Sequence, residues 1–328
     1  MQPPSRSPES SGLSDRFGAS GSSSGALPRR ALLRGAAGLT GLAGLGALAA
    51  CSSVAPDSTS GTAQPVGATG AGEASATVSP TPATPAQIAA RAVVPVLCYH
   101  QVRDWTGEDS QYTRENLVIP PAKFREQLDG MTQAGYTAIS ADQYYAHLTN
   151  GAELPAKPVL LSFDDGKDNQ SSQAAAELAK RGMTGTFFIM SVVIGNSGWV
   201  TKDELKKIAD YGMTIGSHTW DHHRVDKYTA ADLEEQLVKP RETLAKITGQ
   251  PVLDFAYPYG AWNDSGAALV AKAGYRSGYQ LMDKPVSPKT PLYTLRRQLA
   301  VSTWSGREVV AKLEGFATAG RDTTYSAG

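Results

Sequence analysis

The chain has 328 residues, and its 31 Lys and Arg residues balance its 31 Asp and Glu residues, so the formal net charge is zero. This balance gives no support to nucleic-acid binding or to a polybasic membrane-binding role, because both require an excess of cations. Apolar residues make up 41% of the chain, but regular apolar patterns begin only near Val93. Only the later part of the sequence therefore predicts a folded core.

The first 51 residues have the pattern of an export signal. Arg29 and Arg30 precede an uncharged Gly/Ala/Leu run at 35–50, which is shorter than the roughly 20 residues that a membrane-spanning helix needs. The paired arginines followed by Leu-Leu resemble a twin-arginine signal. The run ends in Leu-Ala-Ala-Cys51, which resembles the lipobox of bacterial lipoproteins. We therefore expect a lipid anchor on Cys51; the alternative is a simple cleaved signal in which Cys51 is incidental.

Residues 52–92 are rich in Ser, Thr, Pro, Ala and Gly and contain almost no large apolar side chain. Such a segment cannot offset the entropy cost of ordering, so the sequence predicts a flexible linker. The expected arrangement is a folded domain at 93–316 with a short tail at 317–328. Signal and linker together predict an exported protein held at the outer face of the cell membrane, facing the cell wall.

Within the expected domain, β-rich apolar runs alternate with amphipathic helical patterns. Strands are predicted at 94–102, 137–140, 158–163, 185–190, 214–217, 252–257, 276–281 and 295–301. Helices are predicted at 121–134, 141–148, 171–181, 201–211, 230–247, 264–273 and 305–316. This alternation predicts an α/β fold with a parallel sheet and outer helices, in which polar residues at the carboxyl ends of strands carry the chemistry.

The first polar cluster is Ser-Phe-Asp164-Asp165-Gly at the end of a predicted strand. Adjacent carboxylates repel each other, and a cation would relieve that repulsion. Successive side chains on a strand point in different directions, so one carboxylate could bind a metal while the other faces a substrate. An Asp-Gly turn without a function is the alternative interpretation of this motif alone.

The second cluster is His218-Thr-Trp-Asp-His222-His223, which holds three of the chain's five histidines. Histidines four residues apart share one face of a helical turn, which suits a metal such as zinc. His223 offers a five-residue spacing as an alternative. Because the cluster follows a predicted strand, a metal-binding interpretation is favoured over a structural one.

The third cluster is Phe-Ala256-Tyr-Pro-Tyr259-Gly, also after a predicted strand. Proline and glycine predict a rigid turn here, which could fix a backbone N–H toward the site.

In this order, the three clusters resemble the motifs of polysaccharide deacetylases of the NodB-homology type, carbohydrate esterase family 4. The resemblance covers residues 93–316 and implies a deformed (β/α) barrel. It implies that Asp164 is the general base and that the backbone amide of Tyr259 helps to hold the oxyanion. The divalent metal, for which zinc is the first expectation, would be bound by Asp165, His218 and His222.

Two departures point to one branch of that family. Ala256 stands where many members have an arginine that steadies the base, and no histidine follows His223 to serve as the late catalytic acid. Both features, together with the early Tyr-His100 pair, resemble the poly-N-acetylglucosamine deacetylase branch. By this resemblance His100 is the general acid, although a strand-capping role is the simpler alternative. Some relatives there use the spacing that would select His223 instead of His222.

The expected reaction is hydrolysis of N-acetyl groups on an amino-sugar polymer by a monomeric enzyme, releasing acetate. The alternatives are a peptidoglycan or chitin-type deacetylase and an inactive carbohydrate-binding lipoprotein. Four tryptophans are candidates for stacking on sugars, each equally compatible with a core or rim position: Trp199, Trp220, Trp262 and Trp304.

Overall fold

The computed structural model describes residues 82–281 and 284–319, the side chains of 317–319 excepted. The strands are β1 (Val96–Tyr99), β2 (Gln101–Val102), β3 (Val118–Ile119), β4 (Thr137–Ala138), β5 (Pro158–Asp165), β6 (Thr186–Ile189), β7 (Thr214–Ser217), β8 (Asp254–Ala256), β9 (Ser277–Tyr279) and β10 (Gln298–Leu299). The helices are α1 (Pro85–Arg91), α2 (Gln111–Asn116), α3 (Pro121–Gln133), α4 (Ala141–Asn150), α5 (Ala176–Lys180), α6 (Lys202–Asp210), α7 (Lys239–Thr248), α8 (Asp264–Lys272) and α9 (Gly306–Ala319).

The main sheet is parallel and has the strand order β10-β1-β5-β6-β7-β8-β9, with β4 paired to β5. Its two edges are joined by one segment. Leu295 pairs with Tyr279 at the end of β9, while Gln298 and Leu299 pair with β1. The sheet therefore closes through a short, irregular last strand, and the predicted deformed (β/α) barrel is confirmed.

Alternation along the strands divides the core into two clusters. Leu97 and Tyr99 of β1 and Phe163 of β5 belong to the cluster that packs against the helices. Val96 and Leu160 belong to a second cluster, together with residues from β8, β9 and the closing segment. Because neighbouring residues on a strand face opposite sides, the residue after Phe163, Asp164, faces the barrel interior.

The predicted linker is too long at its carboxyl end. Helix α1 lies within it and begins with a capping box, in which Thr84 and Gln87 bond each other's backbone N–H groups. Ile88 is buried in the core, and the Arg91 guanidinium donates to the Leu148 carbonyl at 3.0 Å. One isoleucine and good capping suffice to order this helix against α4, although its composition resembles that of a linker.

Other boundaries also differ from the predictions. Helix α2 and strand β3 lie in the segment 104–120, where no element was predicted. The predicted helix at 171–181 begins as a π-helix over Gln170–Ala175, and the one at 230–247 contains another over Leu233–Val238. Helix α9 runs to Ala319, beyond the predicted end.

The predicted signal, Cys51 and most of the predicted linker lie outside the described residues. Within the described ranges, no helix combines the length and the apolar character needed to cross a membrane.

Candidate active site

A cavity of about 200 Å³ opens at the carboxyl ends of the parallel strands. All six residues that the sequence assigned to the site line it, together with Tyr112, Leu117, Tyr257, Gly260, Leu281 and Leu299. His100 follows β1, while Asp164 and Asp165 end β5. His218 and His222 follow β7, and Tyr259 follows β8. Parallel strands thus bring together residues that are far apart in the sequence.

Asp165, His218 and His222 form the first cluster in this cavity. The Nε2 atoms of His218 and His222 lie 3.7 and 3.5 Å from Asp165 Oδ1. His218 Nδ1 lies 2.8 Å from the Ala256 carbonyl oxygen. Since a carbonyl can only accept, Nδ1 carries the hydrogen, and the Nε2 lone pair is directed toward Asp165. This backbone hydrogen bond fixes both the tautomer and the orientation of the ring.

Both histidines are held in the neutral form that binds metals. Burial lowers the pKa of His218. Burial and the charge of neighbouring His218 lower the pKa of His222 to about 4. At neutral pH each ring therefore offers a free nitrogen lone pair.

The donor set fits a divalent cation. One atom from each of Asp165, His218 and His222 can be chosen so that all three lie within 4.8 Å of one another. Asp165 Oδ1 is buried and has no hydrogen-bond partner among the described residues, which is costly unless another group satisfies it. Two histidines and one carboxylate are a common ligand set of catalytic zinc.

Asp164 lies beside this cluster and is bound by Arg297. The guanidinium Nη1 and Nη2 atoms donate to Asp164 Oδ1 and Oδ2 at 2.6 and 2.7 Å, and both side chains are buried. Burial alone would raise the pKa of Asp164, but the charge of Arg297, aided by His218, holds that pKa well below its usual range. Asp164 is therefore an ionised carboxylate 3.8 Å from His218 Nε2, able to accept a proton.

Four residues other than glycine have positive φ in the described part of the chain, and they cluster around this cavity. Asp165, His222 and Tyr259, with φ of 81°, 68° and 59°, line it, and Thr219, with φ of 69°, lies between the two histidines. Such conformations cost on the order of 1–3 kcal/mol each and are characteristic of functional sites. The strain is thus concentrated at the residues around the cavity.

The expected helical turn at the histidines is not present. Residues 218–223 form an irregular loop, and the left-handed backbone of Thr219 and His222 turns the second imidazole back toward the first. The Thr219 hydroxyl accepts from the His222 N–H at 2.9 Å, which supports this turn. His223 instead pairs with Asp221 at 2.8 Å and is largely exposed. The structure therefore brings His222, and not His223, to Asp165.

His100 follows β1, whereas the loop that carries His218 and His222 follows β7. One of its ring nitrogens lies within 4.8 Å of an Asp164 carboxylate oxygen. Its Nδ1 is buried and unpartnered among the described side chains. The Gln170 amide donates to the His100 carbonyl at 2.9 Å and also to the Asp164 carbonyl. A common donor therefore holds the two backbones in place.

The chain is similar in sequence to known polysaccharide deacetylases. The sequence profile of the polysaccharide deacetylase family matches residues 151–278. YxkH of Bacillus subtilis is 25% identical over 225 residues, which are 69% of this chain and 77% of that protein. The chain contains a polysaccharide deacetylase domain. It is accordingly a hydrolase of the class that cleaves N-acetyl amide bonds.

Two further relatives are similar to this deacetylase domain. The poly-beta-1,6-N-acetyl-D-glucosamine N-deacetylase of Staphylococcus aureus is 24% identical over 216 residues, which are 62% of this chain and 74% of that enzyme. The structure of the Streptococcus pyogenes deacetylase PplD in complex with acetate has a TM-score of 0.62 at 24% identity. The match covers 67% of this chain and 97% of that one, and it shows a shared fold.

Arg297 is the site residue of the deacetylase domain that the sequence analysis missed. It comes from just before β10, 133 residues from Asp164, and it binds the carboxylate for which Ala256 offers no partner. A signal was present, because Arg297 interrupts the predicted strand at 295–301. A charged residue in a buried strand needs a charged partner.

Proposed function

We propose that this deacetylase removes acetyl groups from N-acetylglucosamine units of an extracellular polymer resembling poly-N-acetylglucosamine, with a bound divalent metal. The observation that carries the proposal is the Asp165, His218 and His222 cluster beside an ionised Asp164 in one cavity. The substrate assignment is supported by the similarity to the Staphylococcus aureus enzyme named above and by the Ala256 and His100 features of the sequence.

Export and a lipid anchor on Cys51 are also part of the proposal. Their support is the Arg29-Arg30 pair, the short uncharged run and the Leu-Ala-Ala-Cys51 sequence. An exported enzyme would meet polymers of the cell surface or wall.

Asp165, His218 and His222 would hold the metal, with zinc as our first expectation because of the nitrogen-rich donor set. A bound zinc ion supplies Lewis acidity toward the acetyl carbonyl and lowers the pKa of water. The protein suits a metal here because burial keeps both imidazoles neutral and because Asp165 Oδ1 has no hydrogen-bond partner among the residues that the structure describes.

Asp164 and His100 would divide the proton transfers. Asp164, kept ionised by Arg297, accepts a proton from the water that attacks the acetyl carbon. The C–N bond then breaks, and a ring nitrogen of His100 donates a proton to the departing amine. The water supplies the hydroxyl group of the acetic acid, the amine receives the proton of His100, and acetate and a free amino sugar leave; Asp164 then releases its proton and His100 regains one from solvent.

The remaining lining groups suit an acetyl group. Tyr259 lies in a left-handed turn in which the Gly260 N–H donates to the Tyr257 carbonyl and the Ala261 N–H donates to the Pro258 carbonyl. An N–H at this position would stabilise the developing oxyanion, a contribution of about 3–4 kcal/mol for a well-placed donor. Leucine side chains in the same cavity offer an apolar surface to the acetyl methyl group.

The test separates the base from the metal ligand. Asp164→Asn should abolish acetate release from N-acetylglucosamine oligomers while zinc stays bound, because the amide cannot accept the proton. Asp165→Ala should lose the zinc as well as the activity. Acetate would be assayed enzymatically and zinc by elemental analysis of the same samples.

Either of two results would contradict the proposal. Retained turnover in Asp164→Asn would exclude that residue as the base, and unchanged zinc content in Asp165→Ala would exclude the proposed ligand set. A panel of β-1,6-linked oligomers, chitin oligomers and peptidoglycan fragments tests the substrate assignment. A wild-type protein that binds these compounds without releasing acetate would instead be a carbohydrate-binding protein.

A further inference from the structure

The two most exposed large apolar side chains of the described residues line the same cavity. Tyr112 is 64% exposed and Tyr259 is 60% exposed, and both border the pocket that contains Asp164 and the histidine cluster. They come from different parts of the fold, since Tyr112 lies in α2 and Tyr259 follows β8. Paired exposure of aromatic rings at one site is characteristic of a ligand-binding surface.

No hydrogen bond or ring–ring contact among the described residues holds the side chain of Tyr112. Among the described residues its hydroxyl makes no hydrogen bond and its ring stacks on no other ring, while its backbone carbonyl accepts from the Asn116 side-chain amide at 3.1 Å. Tyr259, in contrast, is packed edge to face against His222, with ring centroids 4.6 Å apart. Tyr112 is therefore a flat apolar surface with a polar tip and no intramolecular partner.

The segment that carries Tyr112 is nevertheless held firmly. Arg103 and Asp109 form a two-point ion pair at 2.7 and 2.8 Å near its beginning. The Ser110 hydroxyl caps α2 by accepting from the Thr113 N–H. The Ser302 hydroxyl donates to the Arg114 carbonyl at 2.6 Å from beside β10. A ring on such a fixed support loses little conformational freedom when it binds a ligand.

We propose that Tyr112 is the stacking surface for the sugar unit next to the one being deacetylated. A pyranose ring has one face of C–H groups and a rim of hydroxyls, which matches an exposed aromatic face with a polar tip. The inference rests on the proposed function and deepens it. The stacking contact gives the enzyme a preference for linked N-acetylated sugar units over an isolated acetyl compound.

The four tryptophans considered from the sequence do not take this position. None of them lines the cavity. Trp262 is buried and donates to Gln280 at 2.8 Å, and Trp199 lies beneath the Lys167 ammonium group. Tyr112 therefore supplies the stacking contact for which the four tryptophans were candidates.

The test compares two substrates in four variants of the full-length protein. The substrates are an N-acetylglucosamine tetramer and 4-nitrophenyl acetate, which lacks a neighbouring sugar. Tyr112→Ala and Tyr112→Leu should lower kcat/KM for the tetramer, relative to that for the ester, by about 3- to 10-fold and mainly through KM. Tyr112→Phe keeps the flat ring and should keep the wild-type ratio of the two substrates. Trp105→Ala, an exposed aromatic of the same segment outside the cavity, is the matched control and should also keep that ratio.

The outcomes separate this inference from the proposed function. No acetate from any oligomer with the wild-type protein would overturn the proposed function itself. An active wild type whose substrate ratio is unchanged in Tyr112→Ala would overturn only the role of Tyr112. An equal loss in Trp105→Ala and Tyr112→Ala would assign the effect to the segment and not to the ring, which also overturns the inference.

Discussion

At the scale of single residues, the pairing of Asp164 with Arg297 determines the chemistry of the site. A buried carboxylate would ordinarily become harder to ionise and could not serve as a base without a partner. Arg297 supplies the compensating charge and two aligned hydrogen bonds. In return, Asp164 neutralises a guanidinium that has no solvent access. Each charge is tolerated only because the other is present.

We predict that Arg297→Met lowers the free energy of unfolding by about 3–5 kcal/mol at pH 7, because it leaves the Asp164 carboxylate buried and unpaired. The pKa of Asp164 should rise at the same time, so acetate release should be lost at neutral pH and recover in part as the pH is raised. Denaturant titration and a pH–rate profile measure the two effects. Arg297→Lys keeps the charge and should have a smaller effect on both the stability and the pH–rate profile. A pH–rate profile that is unchanged in Arg297→Met would contradict the role assigned to this residue.

At the scale of elements, the contact between α3 and α9 supports the last strand of the barrel. Gly130 of α3 lies directly against the backbone of Gly306, so neither position has room for a Cβ atom. The Gln127 amide of the same helix donates to the Val301 and Trp304 carbonyls at 2.9 Å each. These contacts anchor the segment that follows β10, the strand immediately after Arg297.

We predict that Gly130→Ala destabilises the protein by about 1–3 kcal/mol, although alanine favours helices, because the methyl group would overlap backbone atoms that cannot move cheaply. Thermal or denaturant unfolding measures the change. Gly107→Ala, where an added Cβ meets no atom within 4 Å, is the matched control and should leave stability nearly unchanged. Equal stability of the two variants would show that the helices can separate at no cost.

At the scale of the whole molecule, the neutral histidines link folding to pH. The pKa of His222 is lowered to about 4 in the folded protein, from 6.5 for an unperturbed imidazole, and burial lowers that of His218 as well. Between these values the unfolded chain binds more protons than the folded one, so stability rises with pH there and falls as the solution is acidified. Protons compete with a metal for the same nitrogens only at lower pH, near the lowered pKa of His222 in the folded protein.

We predict that the metal-free protein loses stability as the pH falls from about 7 toward 4. Added zinc should raise Tm by similar amounts at pH 7 and pH 5, because a ligand that binds only the folded state stabilises it and the lowered pKa values keep both imidazoles neutral there, and it should raise Tm much less below about pH 4. Calorimetry with and without zinc measures both effects. Asp165→Ala should remove the zinc shift at pH 7, and a shift of unchanged size in that variant would contradict the proposed ligand set.

The sequence by itself determined the order of most strands and helices, though not α1, α2 and β3, and the three polar clusters at strand ends, because these follow from local periodicity and from residues adjacent in the chain. It also indicated that Asp164, Asp165 and His218 belong to one site, since parallel strands place their carboxyl ends at one edge. Only the tertiary structure showed that His222, and not His223, lies beside Asp165. The left-handed backbone of Thr219 and His222, and not a helical turn, orients the His222 imidazole there. The tertiary structure alone assigned Arg297 to Asp164 and brought Tyr112 to the cavity. Both contacts join segments that are distant in sequence. They depend on how the barrel closes and on how the connection between β2 and β3 packs beside the cavity. Neither feature leaves a periodic signal in the chain.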